Sequence, residues 1–316
     1  MPTLEFSSLT KRYGKARGVE DISFSVEAGE IFGYLGPNGS GKTTSLRCLM
    51  GLMRPSSGQV RVFDRPVRPG QALGHDRIGY LPGEFHIWGD LTGRRAIKLM
   101  AALSGKPDVV SEGESLADRL ELNLRRLAGD LSKGNRQKIG VICAFQHQPE
   151  LLILDEPTSG LDPLMRQVVL ELIREAAGRG ATVLLSSHDL GEVAAVCGRA
   201  GILREGKLVE LASISQIVQE GQKRLRIWFT PDRVMPEFPA GQFANIHVLR
   251  QEDHMLELAY LGRVDELIKW LSQFHVERIS TPESSLEEAF IQYYDGSSDH
   301  AAKASRPLGD GGSHES

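Results

Sequence analysis

The segment GPNGSGKTT at residues 36–44 constrains the fold of this chain more than any other feature. It follows an apolar run over residues 31–35 and precedes a stretch with helical periodicity, so it matches the pattern G-x-x-x-x-G-K-T between a strand and a helix. Its glycines let the backbone curl without Cβ clashes, so that its amides point inward at a helix N-terminus, a position that favours anions. The pattern therefore predicts a phosphate-binding loop for a nucleoside triphosphate with magnesium.

The individual residues of this loop have distinct predicted roles. Lys42 places a positive charge at the β- and γ-phosphates, and the Thr43 hydroxyl supplies one position for magnesium. The backbone amides from Asn38 to Lys42 are expected to point at the phosphates. The predicted nucleotide contacts in this segment are Gly36, Pro37, Asn38, Gly39, Ser40, Gly41, Lys42, Thr43 and Thr44.

A second segment, LLILDEP at residues 151–157, narrows the chemistry. Its four apolar residues predict a buried strand, and two carboxylates follow at the carboxyl end, where ligands lie in sheets of this kind. Asp155 is placed to hold magnesium, usually through water. Glu156 projects differently and is placed to act as a general base on the attacking water.

Composition and charge bound the remaining functions. The chain has 316 residues, enough for two domains, with 41% hydrophobic and 25% charged residues. A net charge of −4 gives no general attraction to nucleic acid, so no nucleic-acid partner is expected. No apolar run approaches the ~18 residues of a membrane span, and the start lacks the apolar core of a secretory signal. The three cysteines are scattered and typical of a reducing cytosol.

The order of predicted elements indicates two domains. Strands precede the phosphate loop, two helices with a loop between them are predicted at 91–103 and 114–127, and strand–helix alternation returns after residue 150. A boundary falls near 215–223. Beyond it, three strands, a helix at 264–274, a strand at 276–279 and a helix at 284–294 suggest a small α+β domain. Residues 296–316 are rich in Gly, Ser and charge and are predicted to be disordered.

Further motifs resemble those of one family, the ABC ATPases. LSKGNRQKIG at residues 131–140 resembles the LSGGQ signature, with Lys133 and Asn135 as departures, and SGLD at 159–162 resembles the D-loop. His188, after the strand TVLLSS, lies where the family has its switch histidine, and Tyr13 where it stacks an aromatic ring on adenine. Alone, these two residues would be read as a structural histidine and a surface tyrosine. Their order and spacing with the other motifs instead make the segment from residue 3 to 215 similar to an ABC nucleotide-binding domain.

The resemblance implies an α/β fold with a defined arrangement of parts. Residues 1–215 would form a P-loop ABC ATPase domain with an N-terminal antiparallel β part and a helical insert at about 88–140. Residues 220–295 would form the small α+β domain. The implied ligands are ATP and Mg²⁺. The implied catalytic residues are Glu156, His188 and Lys42. Further implied nucleotide contacts are Tyr13, Ser132, Gly134 and Asp162. The implied residues of the metal site are Thr43, Asp155 and Glu84.

The signature has a physical use only in a pair of subunits. It opens a helix, so Ser132 and the amides near Gly134 can contact a γ-phosphate, and in the family that phosphate is bound by the other subunit. This sequence has one copy of each motif and no internal repeat. It is therefore expected to pair head to tail with a second copy, or with a related ATPase subunit; we favour the homodimer.

One loop departs from the family pattern. The family has a metal- and water-contacting glutamine after the strand equivalent to IGYLP, where this chain has Gly83 and then Glu84. Our hypothesis is that Glu84 takes part of the role of that glutamine. The residues that follow, Phe85-His86-Ile87-Trp88, would either dock a helix of a membrane protein or plug the base of the helical insert, and the sequence leaves both readings open.

The C-terminal segment SLEEAFIQYY, residues 285–294, resembles the extension on ATPase subunits of ABC exporters for drugs and antibiotics. That resemblance implies a peripheral protein at the cytoplasmic face of the cell membrane, bound to a separate integral membrane permease. Two alternatives remain at this point. One is a soluble ABC ATPase acting on nucleic acid or ribosomes, although paired ATPase domains, long coiled-coil insertions and zinc cysteines are lacking here. The other is a regulatory ATPase whose C-terminal domain binds a small ligand.

Overall fold

The structure of the chain is a computed structural model. The structure describes residues 1–281 except positions 15, 71–73, 75, 221–222, 231–235, 237, 240–241, 244 and 261–263. The helix predicted at 284–294 and the tail at 296–316 lie outside the described residues. The chain divides into two compact units, Met1–Gln219 and Glu220–Ser316. None of the helices described is long and apolar enough to cross a membrane.

The first unit contains two sheets and the helices that pack on them. Its strands are β1 (Leu4–Tyr13), β2 (Ala16–Val26), β3 (Ile31–Leu35), β4 (Ser57–Val62), β5 (Arg65–Pro66), β6 (Ile78–Leu81), β7 (Leu151–Asp155), β8 (Thr182–Ser187), β9 (Arg199–Arg204) and β10 (Lys207–Ser213). Its helices are α1 (Lys42–Leu49), α2 (Gly93–Leu103), α3 (Val110–Arg119), α4 (Lys133–Phe145), α5 (Pro163–Gly178), α6 (Leu190–Val196) and α7 (Ile214–Glu220), the last of which reaches the unit boundary.

The central sheet has the strand order β10-β9-β3-β8-β7-β6 and is parallel except for β10. Its inner strands are buried on both faces, as their continuous apolar runs predict; Leu151 to Leu154 are fully buried. Because β3, β7 and β8 are neighbours and parallel, their carboxyl ends meet at one edge. The phosphate loop and the Asp-Glu pair therefore lie at the same edge. The α/β class predicted from the sequence is confirmed.

A second sheet, antiparallel with the order β2-β1-β4-β5, covers the central one. Phe6, Phe24 and Phe32 stack with centroid separations of 4.6 and 5.0 Å and so join the two sheets. Leu46 and Leu49 of α1 are buried in the same core. The core thus fixes both ends of the phosphate loop. The backbone of the residues between these ends therefore has little conformational freedom.

The second predicted helix of the insert differs from the structure. We predicted residues 114–127, whereas α3 spans Val110–Arg119 and Glu121 has a left-handed φ of 51°. A left-handed residue ends a helix. The chain then runs back along the start of α2, where Leu124 and Arg126 accept hydrogen bonds from the backbone amides of Arg94 and Gly93. These amides have no partner within their own helix, so this pairing competes with helix extension.

The second unit has a four-stranded antiparallel sheet with the order β12-β13-β11-β14. Its elements are β11 (Lys223–Phe229), β12 (Ile246–Glu252), β13 (Met255–Tyr260), α8 (Asp265–Leu271) and β14 (Val276–Ser280). Its core contains the aromatic residues Phe229, Phe238, Phe243 and Tyr260, and Trp270 makes an edge-to-face contact with Phe238 at 5.3 Å.

Candidate active site

The phosphate loop connects β3 to α1 in a conformation that only glycine adopts easily. Gly39 and Gly41 have φ values of 81° and 108°, and a Cβ on Gly41 would lie 2.5 Å from Val19 Cγ1. Among the residues that the structure describes, the N-cap of α1 is Gly41, which makes no side-chain capping hydrogen bond. The loop therefore offers free backbone donors at a helix N-terminus, as an oxyanion requires.

Lys42 is almost fully buried beside this loop. Its ammonium donates hydrogen bonds to the carbonyl oxygens of Gly36 and, at 3.3 Å, Pro37, and it lies 3.4 Å from Glu156 Oε1. Burial lowers the pKa of Lys42, while the neighbouring carboxylates of Glu156 and Asp155 act in the opposite direction. Because this buried ammonium is already out of water, it can exchange the carbonyl oxygens for phosphate oxygens with little further desolvation.

Asp155 lies at the end of β7 and is fully buried. One carboxylate oxygen accepts a hydrogen bond from Thr43 Oγ1 at 2.8 Å, and the other accepts one from Ser186 Oγ at 2.9 Å. Hydroxyl and carboxylate oxygens are the ligands that magnesium prefers, so the Thr43–Asp155 pair fits that ion. Within the described ranges no group of three or more His, Cys, Asp or Glu residues forms a metal site. A site of few protein ligands completed by water and phosphate is the usual magnesium arrangement.

Glu156 connects the cation of the loop to the histidine. Its Oε2 lies 2.6 Å from His188 Nδ1, and its Oε1 forms the ion pair with Lys42. Its backbone has a φ of 52°, a left-handed conformation that is uncommon for a residue with a side chain. The structure thus brings Lys42, Glu156 and His188, predicted from separate segments, into one constellation.

Tyr13 lies beside the start of α1. Its hydroxyl donates to Met53 Sδ at 3.0 Å and lies 3.4 Å from Thr44 Oγ1, and the residue is 43% exposed. Lys11 Nζ lies 5.6 Å from the centroid of this half-exposed ring, which is placed beside the phosphate loop where a base can stack.

The signature and the D-loop approach each other closely. Ser132 caps α4 by accepting from the amide of Asn135, and Asp162 caps α5 by accepting from the amide of Met165, which lowers the pKa of Asp162. A Cβ on Gly134 would lie 2.5 Å from the Gly160 carbonyl oxygen. In the described part of the chain no hydrogen bond or ion pair joins Ser132, Gly134 or Asp162 to the phosphate loop.

The loop after β6 places Gly83, rather than Glu84, against the carboxylate of Asp155. A Cβ on Gly83 would lie 3.1 Å from Asp155 Oδ2, whereas Glu84 is exposed and lines a groove of about 500 Å³. The groove is also lined by Phe85, His86, Ile87, Ala128, Gly129, Lys133, Arg136 and Gln137. The structure does not bring the Glu84 carboxylate into a hydrogen bond or ion pair with Thr43 or Asp155 in the residues it describes. The metal role of Glu84 therefore remains a prediction.

The apolar residues of this loop differ in their contacts, so the plug and the docking surface apply to different residues. Phe85 packs on α4, since a Cβ on Gly140 would lie 2.8 Å from its ring. Trp88 is 68% exposed. The first residue is thus a plug beneath the helical insert, and the last offers an apolar surface.

Sequence reasoning missed two residues at the site. Ser186 holds Asp155, and Gln137 donates from its Nε2 to the carbonyl oxygens of Glu156 and Pro157, both at 3.1 Å. Ser186 had a signal: it is a polar residue at the carboxyl end of a buried strand, and it lies opposite Asp155 in the register of β7 and β8. Gln137 had none, because its contacts depend on how α4 packs.

Comparison with known proteins agrees with this geometry. A family model described as "ABC transporter" matches residues 19–159. The bacitracin transport ATP-binding protein BcrA of Bacillus licheniformis is 32% identical over 303 residues, covering 93% of this chain and 97% of that protein. The linearmycin resistance ATP-binding protein LnrL of Bacillus subtilis (strain 168) is 32% identical over 294 residues, covering 90% of each.

Solved structures show the same fold. A structure described as the ATP binding subunit of an ABC transporter is 31% identical, with a TM-score of 0.63, over 68% of this chain and 91% of that one. The ATP-binding cassette MJ0796, solved as a post-hydrolysis dimer bound to ADP and Pi, is 20% identical with a TM-score of 0.62 over 67% of this chain and 98% of that one, and it supports the fold alone.

Proposed function

This chain belongs to the family of ABC transporter ATP-binding proteins, and from that premise we propose that it powers export of a drug- or antibiotic-type compound through a separate membrane permease. ATP binding and hydrolysis are the activity of the family. The observation that carries the exporter assignment is the similarity to BcrA, which extends over 93% of this chain and is not confined to the nucleotide site. BcrA is named for bacitracin transport and LnrL for linearmycin resistance, which supports this substrate class.

The hydrolytic step assigns a role to each clustered residue. Lys42 and the loop amides bind the β- and γ-phosphates, and Glu156 accepts a proton from the attacking water. His188, 2.6 Å from Glu156, orients that carboxylate and contacts the γ-phosphate. Thr43 and Asp155 would hold Mg²⁺, which neutralises charge on the phosphates. Tyr13 stacks on adenine.

The distribution of the remaining predicted residues supports a head-to-tail pair of ATPase subunits. Ser132, Gly134 and Asp162 have their described contacts with α4, α5 and the D-loop, so they are placed to act on a nucleotide held by a second subunit. A homodimer is proposed, since one chain carries each motif once. ATP, unlike ADP, drives closure of the pair because it binds the closed state more tightly than the open state.

The permease is proposed to dock a short cytoplasmic helix at the groove beside Glu84, with Trp88 as an apolar anchor at a peripheral site on the cytoplasmic face. A wall with Glu84, Lys133 and Arg136 suits an amphipathic helix with polar and charged groups. Trp88→Ser is expected to weaken binding of the permease about tenfold or more, the usual effect at an anchor residue. Val209→Ser, at a residue that is 43% exposed on β10, is the matched control and should leave binding unchanged. Equal permease recovery for both variants would argue against this surface.

Glu84→Ala tests whether this carboxylate replaces the missing glutamine. The variant is expected to lower the ATPase rate, and its stimulation by the permease, about tenfold, as lost contacts with a charged group do. Steady-state ATPase measured with and without the permease checks this. Glu171→Ala, which removes an exposed carboxylate on α5, is the control. A rate and stimulation unchanged by Glu84→Ala would contradict the hypothesis.

The whole proposal is tested by what co-purifies with the chain. A tagged Glu156→Gln variant, solubilised from membranes in mild detergent with ATP and magnesium, should recover a multi-span membrane protein in stoichiometric amount. Recovery from the soluble fraction alone, with RNA or ribosomal proteins, would overturn the exporter assignment. The wild-type chain prepared with ADP is the control, because an open pair of ATPase subunits should hold the permease less tightly.

A further inference from the structure

Gln137 occupies a position that connects the signature helix to the glutamate of the same chain. It is the fifth residue of α4, is 4% exposed, and uses its side-chain amide to donate to two successive carbonyl oxygens, those of Glu156 and Pro157. An amide nitrogen has two hydrogens, so both of its donors have a backbone acceptor. Such a buried and saturated contact restrains the backbone of residues 156 and 157.

This restraint acts on a residue in an unfavourable conformation. The φ of 52° at Glu156 is left-handed, which is strained for a residue with a side chain and persists only where the surroundings impose it. Three groups surround this backbone. The Ser186 carbonyl oxygen accepts from the Glu156 amide at 3.0 Å, the Ser159 amide donates to the Glu156 carbonyl oxygen at 3.1 Å, and Gln137 donates to that same oxygen.

The direction of the Glu156 side chain follows from this backbone conformation. In this conformation the carboxylate lies 2.6 Å from His188 Nδ1 and 3.4 Å from Lys42 Nζ. The Cα–Cβ bond turns with φ, so a change to an ordinary negative φ would move the carboxylate relative to the strand that precedes it. The groups that stabilise the left-handed conformation therefore also control the position of the carboxylate.

We propose that Gln137 is a positioning residue for hydrolysis, which holds the Glu156 backbone so that its carboxylate faces the attacking water. This inference rests on the proposed role of Glu156 as general base. Gln137 does not touch nucleotide in this assignment, so its loss should slow the chemical step while leaving ATP affinity intact.

The chain offers a matched control in Gln146, at the end of the same helix. Gln146 is 1% exposed, and its side-chain amide donates to the Ile97 carbonyl oxygen at 3.0 Å. Gln137→Leu and Gln146→Leu therefore remove the same chemical group from equally buried positions of one helix. They differ in that only Gln137 contacts the segment containing Glu156.

The experiment compares these variants in the full chain by ATP affinity, single-turnover hydrolysis and thermal unfolding. Gln137→Leu is expected to slow single turnover about 10- to 100-fold, since misplacement of a catalytic group by about 1 Å can lower the rate about 100-fold. The Kd for ATP should stay within about twofold of wild type. Gln146→Leu is expected to retain the rate even where it lowers Tm as much. Gln137→Glu, which keeps the shape and loses the donors, serves where the leucine variant does not bind ATP.

The outcomes separate this inference from the proposed function. A normal rate in the Gln137 variants, together with a slow Glu156→Gln, would overturn the positioning role alone. Equal slowing by Gln146→Leu would also overturn it, because the effect would then belong to general loosening of the helix. A normal rate for Glu156→Gln would instead refute the general-base assignment on which the inference rests.

Discussion

Glu156→Gln is expected to bind ATP with near-normal affinity and to hydrolyse it about 10²- to 10⁴-fold more slowly than wild type, the usual contribution of a general base. Glutamine keeps the size of the side chain and can still contact His188, but it cannot accept the proton of the attacking water at neutral pH. Since hydrolysis would reopen the closed pair, the variant should accumulate as a dimer with ATP and magnesium. Single-turnover hydrolysis and light scattering measure the two effects.

The control for this prediction lies at the other end of the same strand. Glu150 precedes β7 and pairs with Arg77 through two hydrogen bonds of 2.7 Å in an exposed position. Glu150→Gln makes the same chemical change and should affect stability by no more than about 1 kcal/mol, as exposed ion pairs do, with hydrolysis unchanged. A Glu156→Gln protein that remained monomeric with saturating ATP would refute the closed-pair model for the isolated chain.

Lys42→Ala is expected to raise the Kd for ATP about 100-fold, which corresponds to about 2.7 kcal/mol. The substitution removes a charge-assisted contact to phosphate, worth about 1.5–3 kcal/mol, and it leaves the carboxylate of Glu156 without its cation. Hydrolysis at low ATP should fall by at least the same factor. Isothermal titration calorimetry with ATP gives the Kd directly.

A surface lysine supplies the comparison for this affinity loss. Lys98 is exposed on α2, and Lys98→Ala lowers the net charge by the same amount without touching the phosphate loop. Its Kd should stay within about twofold of wild type, because a distant exposed charge is screened by solvent and salt. If Lys42→Ala and Lys98→Ala bound ATP equally well, the loop would not be the phosphate site.

The two substitutions separate binding from chemistry at one cluster. Lys42 and Glu156 are only 3.4 Å apart, yet the first is predicted to act mainly on affinity and the second mainly on rate. A Lys42→Ala protein that binds normally but hydrolyses slowly would reverse this division and place Lys42 in the transition state alone.

Much of the fold could be predicted because its signals are local. The apolar runs that became β7 and β8 are short and buried on both faces, and the glycines of the phosphate loop identify a turn that bulkier residues would strain. Both signals depend on neighbouring residues along the chain. The helix predicted at 114–127 was wrong for the corresponding reason: α3 ends at Arg119 because the following segment pairs with α2, a contact that periodicity does not register.

The sequence by itself determined the ligand class and the strand–loop–helix typical of it, and it predicted Lys42, Asp155 and Glu156 as the chemical groups of the site, since each lies within a short motif. Only the tertiary structure showed that Ser186 holds Asp155, that Gly83 rather than Glu84 faces that carboxylate, and that Gln137 supports a left-handed Glu156. These contacts join residues far apart in the chain. They are set by the register of parallel strands and the packing of α4, which depend on the whole core and not on any local pattern.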